Sequence, residues 1–157
     1  MTHNASQNRL LICCLMYAGA IPFVLFTFFL LEPHLWPFSS YLQVYAIGYF
    51  GYYSVVILSF LAGIHWGLAL IDSRFPQRTL LLLSNAVALM AWVAMAFPAK
   101  QSSLFLLGFI VQLIVDFVLM RRELLPRWYF NLRTQVTVVV ILCLLPGFID
   151  TIKSAFF

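Results

Sequence analysis

Charge is scarce in this sequence. Only 9% of its 157 residues are Asp, Glu, Lys or Arg, against roughly a quarter in a soluble globular domain, so an ordinary water-facing surface cannot be built from it. Cysteine is scarce as well. Cys13, Cys14 and Cys143 lie inside apolar runs and show none of the paired spacings of a metal site or redox motif. They read as buried structural thiols, and no metal or cofactor is expected. The net charge of +4 is small, and the basic residues fall in short loops, which argues against a nucleic-acid surface. A phosphate-cradling glycine loop, a nucleophile motif and a paired-carboxylate arrangement are all missing, and a nucleophile at Ser59 would need a base that the sequence does not place.

Apolar residues are plentiful, at 64% of the chain, with a mean hydropathy of +0.99. The apolar runs are continuous and of spanning length, about twenty residues for a hydrocarbon core of about 30 Å. Barrel strands would instead alternate over about ten residues. In lipid an uninterrupted run must close its own backbone hydrogen bonds, which a helix does. The fold expected is therefore all-α, a polytopic bundle of five transmembrane helices over about 10–31, 44–71, 79–97, 103–120 and 126–148, preceded by a polar tail over 1–8. Ala18, Gly19 and Ala20 imitate a signal-peptide cleavage site, but the apolar run continues to Leu31 and reads as a retained first helix. Pro22 predicts a kink, Pro126 suits the first residue of the fifth helix, and Pro146 with Gly147 would loosen its end. Pro33, Trp36, Pro37 and Tyr41, in a loop over 32–42, suit a membrane interface.

Five spans put Arg9, Arg74, Arg78, Arg121, Arg122, Arg127 and Arg133 on one side and leave Lys100 and Lys153 on the other. By the positive-inside rule the N-terminus is cytoplasmic, or in the equivalent compartment of an organelle, and the C-terminus is outside.

Polar residues inside the spans carry the functional information, because an ionisable side chain at mid-membrane costs roughly 2.5–3.5 kcal/mol on insertion scales. His65, Asn85, Asp116 and Arg133 all fall about 7–9 Å from the arginine-rich ends of their helices at 1.5 Å per residue. Four helices thus contribute one polar residue each to a common depth, where Asp116 could pair with Arg133 or with His65. Gly108, Gln112 and Asp116 share one helical face, and Tyr129, Arg133 and Thr137 share another. The plain structural reading is an Asp116–Arg133 ion pair locking two helices, with Arg133 partly snorkelling to the headgroups. The sharper one is a ligand, substrate or proton site.

The second helix carries Ser59, Gly63 and Gly67 at four-residue steps, a small-residue stripe suited to close packing within the bundle or between protomers. His65 lies about 200° round the helix from Gly63 and points away from that stripe. A second histidine at comparable depth is missing, since His3 is in the tail and His34 belongs to the opposite face, so haem or metal ligation is not expected.

The string Ser59, Phe60, Leu61, Ala62, Gly63, Ile64, His65, Trp66, Gly67 resembles the DUF3429 family of bacterial membrane proteins, which also takes in transmembrane protein 69 of animals. The similarity extends to Tyr17, Ala18, Gly19, Ile21, Pro22 and Phe23, to Asp116, and to Leu125, Pro126, Arg127, Trp128, Tyr129, Leu132, Arg133 and Thr137. Ala62 departs from a position where the family often carries glycine. The resemblance implies a membrane protein without an assigned activity, in a bacterial inner membrane or alternatively the mitochondrial inner membrane, and it draws attention to His65, Trp66, Asp116, Trp128 and Arg133. The function expected is a non-enzymatic binding or assembly scaffold that meets the lipid bilayer and a homodimer or membrane-protein partner. The alternative is a small proton-coupled transporter or permease working as a homodimer, and the third reading is an intramembrane enzyme acting on a lipid or quinone.

Overall fold

The computed structural model describes the backbone over residues 2–31, 40–71 and 73–156, and the side chains over 7–31, 48–71 and 73–149. Its elements are α1 (Thr2–Leu31), α2 (Ser40–Ile71), α3 (Gln77–Ala94), a 3-10 turn over Pro98–Lys100, α4 (Gln101–Arg121) and α5 (Arg127–Phe156). Each of the five helices is long and apolar enough to cross a bilayer. The protein is an all-α membrane bundle.

Several boundaries differ from those the sequence suggests. The polar stretch over 1–8 is helical from Thr2, and α2 begins at Ser40. The interfacial residues Pro33, Trp36 and Pro37 lie outside the described residues, as does His34. Helix α3 stops at Ala94, short of Phe97, because Met95, Ala96 and Phe97 donate their amides three residues back to Trp92, Val93 and Ala94. Phe97 is then extended, at φ −126° and ψ 72°, as its neighbour Pro98 requires. Pro126 stands just ahead of α5, its carbonyl accepting the amides of Tyr129 and Phe130. Pro146 does not end α5, which runs on to Phe156. Gly147 belongs to a close approach, since a Cβ there would run into Ser102 Oγ.

In lipid the chains outside a bundle are as apolar as those inside, so helices associate through close packing and interhelical hydrogen bonds. Helices α2 and α4 touch at the centre, with α3 packed against both on one side and α1 against α2 and α5 on the other. Phe23 of α1 is the hub. Fully buried, it meets Phe50, Tyr53 and Phe109 edge-on at centroid distances of 5.6, 5.1 and 5.8 Å, a favoured aromatic geometry. Gly108 makes the central contact possible. A Cβ there would come within 3.0 Å of Leu58 and 3.1 Å of Met90.

A second cluster, Ala69, Phe75, Leu80 and Leu119, closes the arginine-rich end. There α4 terminates in a Schellman motif, with Leu124 N bonded to Leu119 O and Glu123 N to Met120 O. The left-handed position of that motif is held by Glu123 at φ 59°. Glycine is the usual occupant.

Candidate functional site

Three helices bring their polar residues to one point. His65 of α2 lies six residues before Ile71, Asp116 of α4 five before Arg121, and Arg133 of α5 six after Arg127, so each is about 7–9 Å into its helix. Asp116 joins them. Its Oδ1 is 2.8 Å from His65 Nε2 and its Oδ2 is 2.8 Å from Arg133 Nε. An ionised carboxylate only accepts, so Nε2 is the donor. His65, Asp116 and Arg133 are 3%, 2% and 4% exposed, which makes this a wholly interior triad.

Asp116 therefore pairs with both candidates, where the sequence left one or the other open. Arg133 does not snorkel; its head is buried with its partners. Gln112 and Thr137, one turn from Asp116 and Arg133, are buried beside them. Gln112 Nε2 is enclosed without a hydrogen-bond partner among the described residues, an uncommon state for a buried amide. Tyr129 is half-buried one turn before Arg133.

Asn85 is not part of the cluster. It lies eight residues, about 12 Å, into α3 from Gln77 and faces outward, its Nδ2 donating to Leu81 O at 2.7 Å, because the buried face of α3 is set by Leu80, Ser84, Val87 and Ala91. Trp66 also points outward, 43% exposed. Among the described residues the Ser59, Gly63, Gly67 stripe makes no close contact at its glycines, since none of them lies within 4 Å of a Cβ built at Gly63 or Gly67. His65 does face away from it, into the core. Cys14 is exposed, contrary to a buried role, while Cys13 and Cys143 are half-buried. Among the described residues no group of three His, Cys, Asp or Glu side chains is placed to hold a metal ion.

Sequence reasoning missed two features. Ser54 and Ser84 are buried but return their hydroxyls to Phe50 O and Leu81 O of their own helices, a local habit with no sequence signature of its own. The other is a cavity of about 90 Å³ beside the triad, between α1, α2, α4 and α5, whose wall includes Arg133, Thr137 and Gly19. Tyr53 bonds to Gly19 O at 2.8 Å from α2, and the glycine has no side chain to fill the space. Only the pairing of helices far apart in sequence makes this visible.

Comparison with known proteins agrees with this architecture. Residues 9–149 match the family described as protein of unknown function (DUF3429). Transmembrane protein 69 of Xenopus tropicalis is 31% identical over 104 residues, covering 63% of this chain. The chain matches only 40% of that relative's length. No solved structure matches it. The match takes in the His65–Asp116–Arg133 triad and, apart from Gln7 and Asn8 at the start of the first, the five spanning segments, so the chain belongs to the DUF3429 family.

Proposed function

We propose that this protein is a non-catalytic binding or assembly scaffold of a membrane, with its arginine-rich end in the cytoplasm or the equivalent organellar compartment. The carrying observation is the engagement of both oxygens of Asp116. Both carboxylate oxygens are engaged by partners on two other helices, at almost no exposure, so the charge is committed to holding α2, α4 and α5 in register. A proton-coupled carrier works against this geometry. It would need an ionisable group reached in turn from each side, whereas neither His65 nor Asp116 lines the neighbouring cavity. The glycines of the Ser59, Gly63, Gly67 stripe, unused inside the bundle, are compatible with assembly. The positive-inside count supports the orientation, and the bacterial inner membrane is the proposed location.

The test is purification from native membranes in mild detergent, with crosslinking and mass analysis, beside uptake assays in proteoliposomes carrying a pH gradient. A recurring protein partner is expected, with no gradient-driven uptake. Solute or proton flux abolished by Asp116→Asn in a variant that remains folded would overturn the scaffold reading in favour of the carrier.

A further inference from the structure

The cavity beside the triad has a composition that the scaffold role does not use. Most of its wall is apolar, from residues such as Met16, Ile57 and Val140, and its polar lining residues are Arg133 and Thr137. Residues 133 and 137 are one turn apart on α5 and share a face. Both are nine-tenths buried or more. At the rim stands Leu15, 63% exposed and about 12 Å along the spanning part of α1 from Gln7. At that depth the opening meets acyl chains.

We infer that this cavity is a lateral binding site for the carbonyl end of an uncharged acyl lipid, entering from the bilayer between α1 and α5, a proposal that stands independently of the scaffold reading. Three observations select this chemistry. A guanidinium has five N–H donors and no acceptor, and the bond to Asp116 uses Nε, so a ligand that meets the head of Arg133 from the cavity brings an acceptor oxygen. Asp116 already supplies the counter-charge to Arg133, leaving no excess charge to favour an anion over a neutral carbonyl. The volume, about 90 Å³, is below the roughly 150 Å³ of an apolar cavity that takes benzene, too small to enclose a substituted ring such as a quinone. An ester carbonyl with its first methylenes fits, and the rest of the chain remains in the bilayer past Leu15.

The experiment is photolabelling of the full chain in proteoliposomes with three diazirine-tagged probes of equal length: a fatty acyl methyl ester, the free fatty acid and the alkane. Mass spectrometry locates the labelled residues. The ester is expected to label Leu15, Met16 and Val136 about tenfold more than the alkane, the difference one charged-donor hydrogen bond makes. Gly19→Leu should lower ester labelling to the alkane level, because a Cβ at Gly19 meets none of the described residues within 4 Å and the side chain can occupy the cavity without moving a helix. Ile57→Phe closes the same space from α2 should the first variant fold poorly. Equal labelling by ester and alkane would reduce the site to an apolar groove and overturn the proposal, as would full ester labelling in folded Gly19→Leu. Preference for the free acid would also overturn it, pointing to an anion site. None of these readouts depends on a protein partner or on flux, so they fail or succeed apart from the scaffold reading.

Discussion

Asp116→Asn is the sharpest test of the triad. The substitution keeps the side chain's size, removes its charge and replaces one acceptor oxygen by a donor. The resulting NH2 must face either the His65 Nε2 donor or Arg133 Nε, both at 2.8 Å from the native oxygens. If the two interhelical bonds were all that is lost, the cost would be about 1–3 kcal/mol, at roughly 0.6–1.7 each in membrane proteins. The stranded guanidinium adds more. Two opposite charges 2.8 Å apart attract by about 6 kcal/mol at an effective dielectric constant of 20, and breaking a buried pair from one side typically costs about 3–5 kcal/mol. With Arg133 only 4% exposed, the larger figure governs, and a loss of about 3 kcal/mol or more is expected. Unfolding in mixed micelles with rising SDS measures it, alongside protein level in the membrane. Arg133→Gln should cost a similar amount, while Asp116→Leu combined with Arg133→Met should cost less than the sum of the separate changes, since no charge is left unpaired. Losses below about 1 kcal/mol for both Asp116→Asn and Arg133→Gln would refute the claim that the pair locks the helices.

Asn85→Leu, facing outward from α3, should be neutral or slightly stabilising in the same assay, because among the described residues its side chain bonds within its own helix. Gly108→Val should destabilise by about 1–3 kcal/mol through overpacking against Leu58 and Met90, read by the same titration. Glu123→Gly should stabilise by about 0.5–1 kcal/mol, the relief of a left-handed residue less the extra backbone entropy of glycine, seen as a higher unfolding midpoint.

The fold was legible in the sequence because lipid leaves few choices. Apolar runs of spanning length that cannot expose unpaired amides become helices, and five such runs dictate five spans. Helix ends were less legible. They depend on local bonding that hydropathy does not see, as in the three-residue amide bonds that terminate α3 ahead of Pro98. At the site, depth was readable and rotation only partly so. His65, Asp116 and Arg133 could be placed in one layer by counting residues, and all three converge. Asn85 fits the same count yet points outward, because α3 buries the face of Ser84 and Val87 and residue 85 lies about 100° from residue 84. The glycine stripe failed for a related reason. Small residues every four positions mark a face able to pack, and in this bundle the α2 face that packs is that of Ser54, Leu58, Leu61, His65 and Ala69.

The location of the cavity follows from how unevenly the bundle is held together. In the spanning window of α1 only 11% of residues are buried, against 39% for α4, and lipid supplies no hydrophobic force to press α1 inward. Specific contacts hold it in place. Tyr53 bonds to Gly19 O, Tyr17 to Gln135 Oε1, Thr27 to Cys143 O, and Arg9 stacks 5.1 Å from the centre of the Trp128 ring. These contacts tie α1 to α2 and α5 at separate points, with the tight aromatic packing concentrated around Phe23. Toward the arginine-rich end from Phe23, where Gly19 offers no side chain, the seam stays open over Arg133 and Thr137. Among the described residues the triad is therefore packed on the α2–α4 side and meets the cavity beside α1 at Arg133. A packed charge network and an opening onto one of its members are two results of the same arrangement, in which α1 packs closely around Phe23 and is held elsewhere by point contacts.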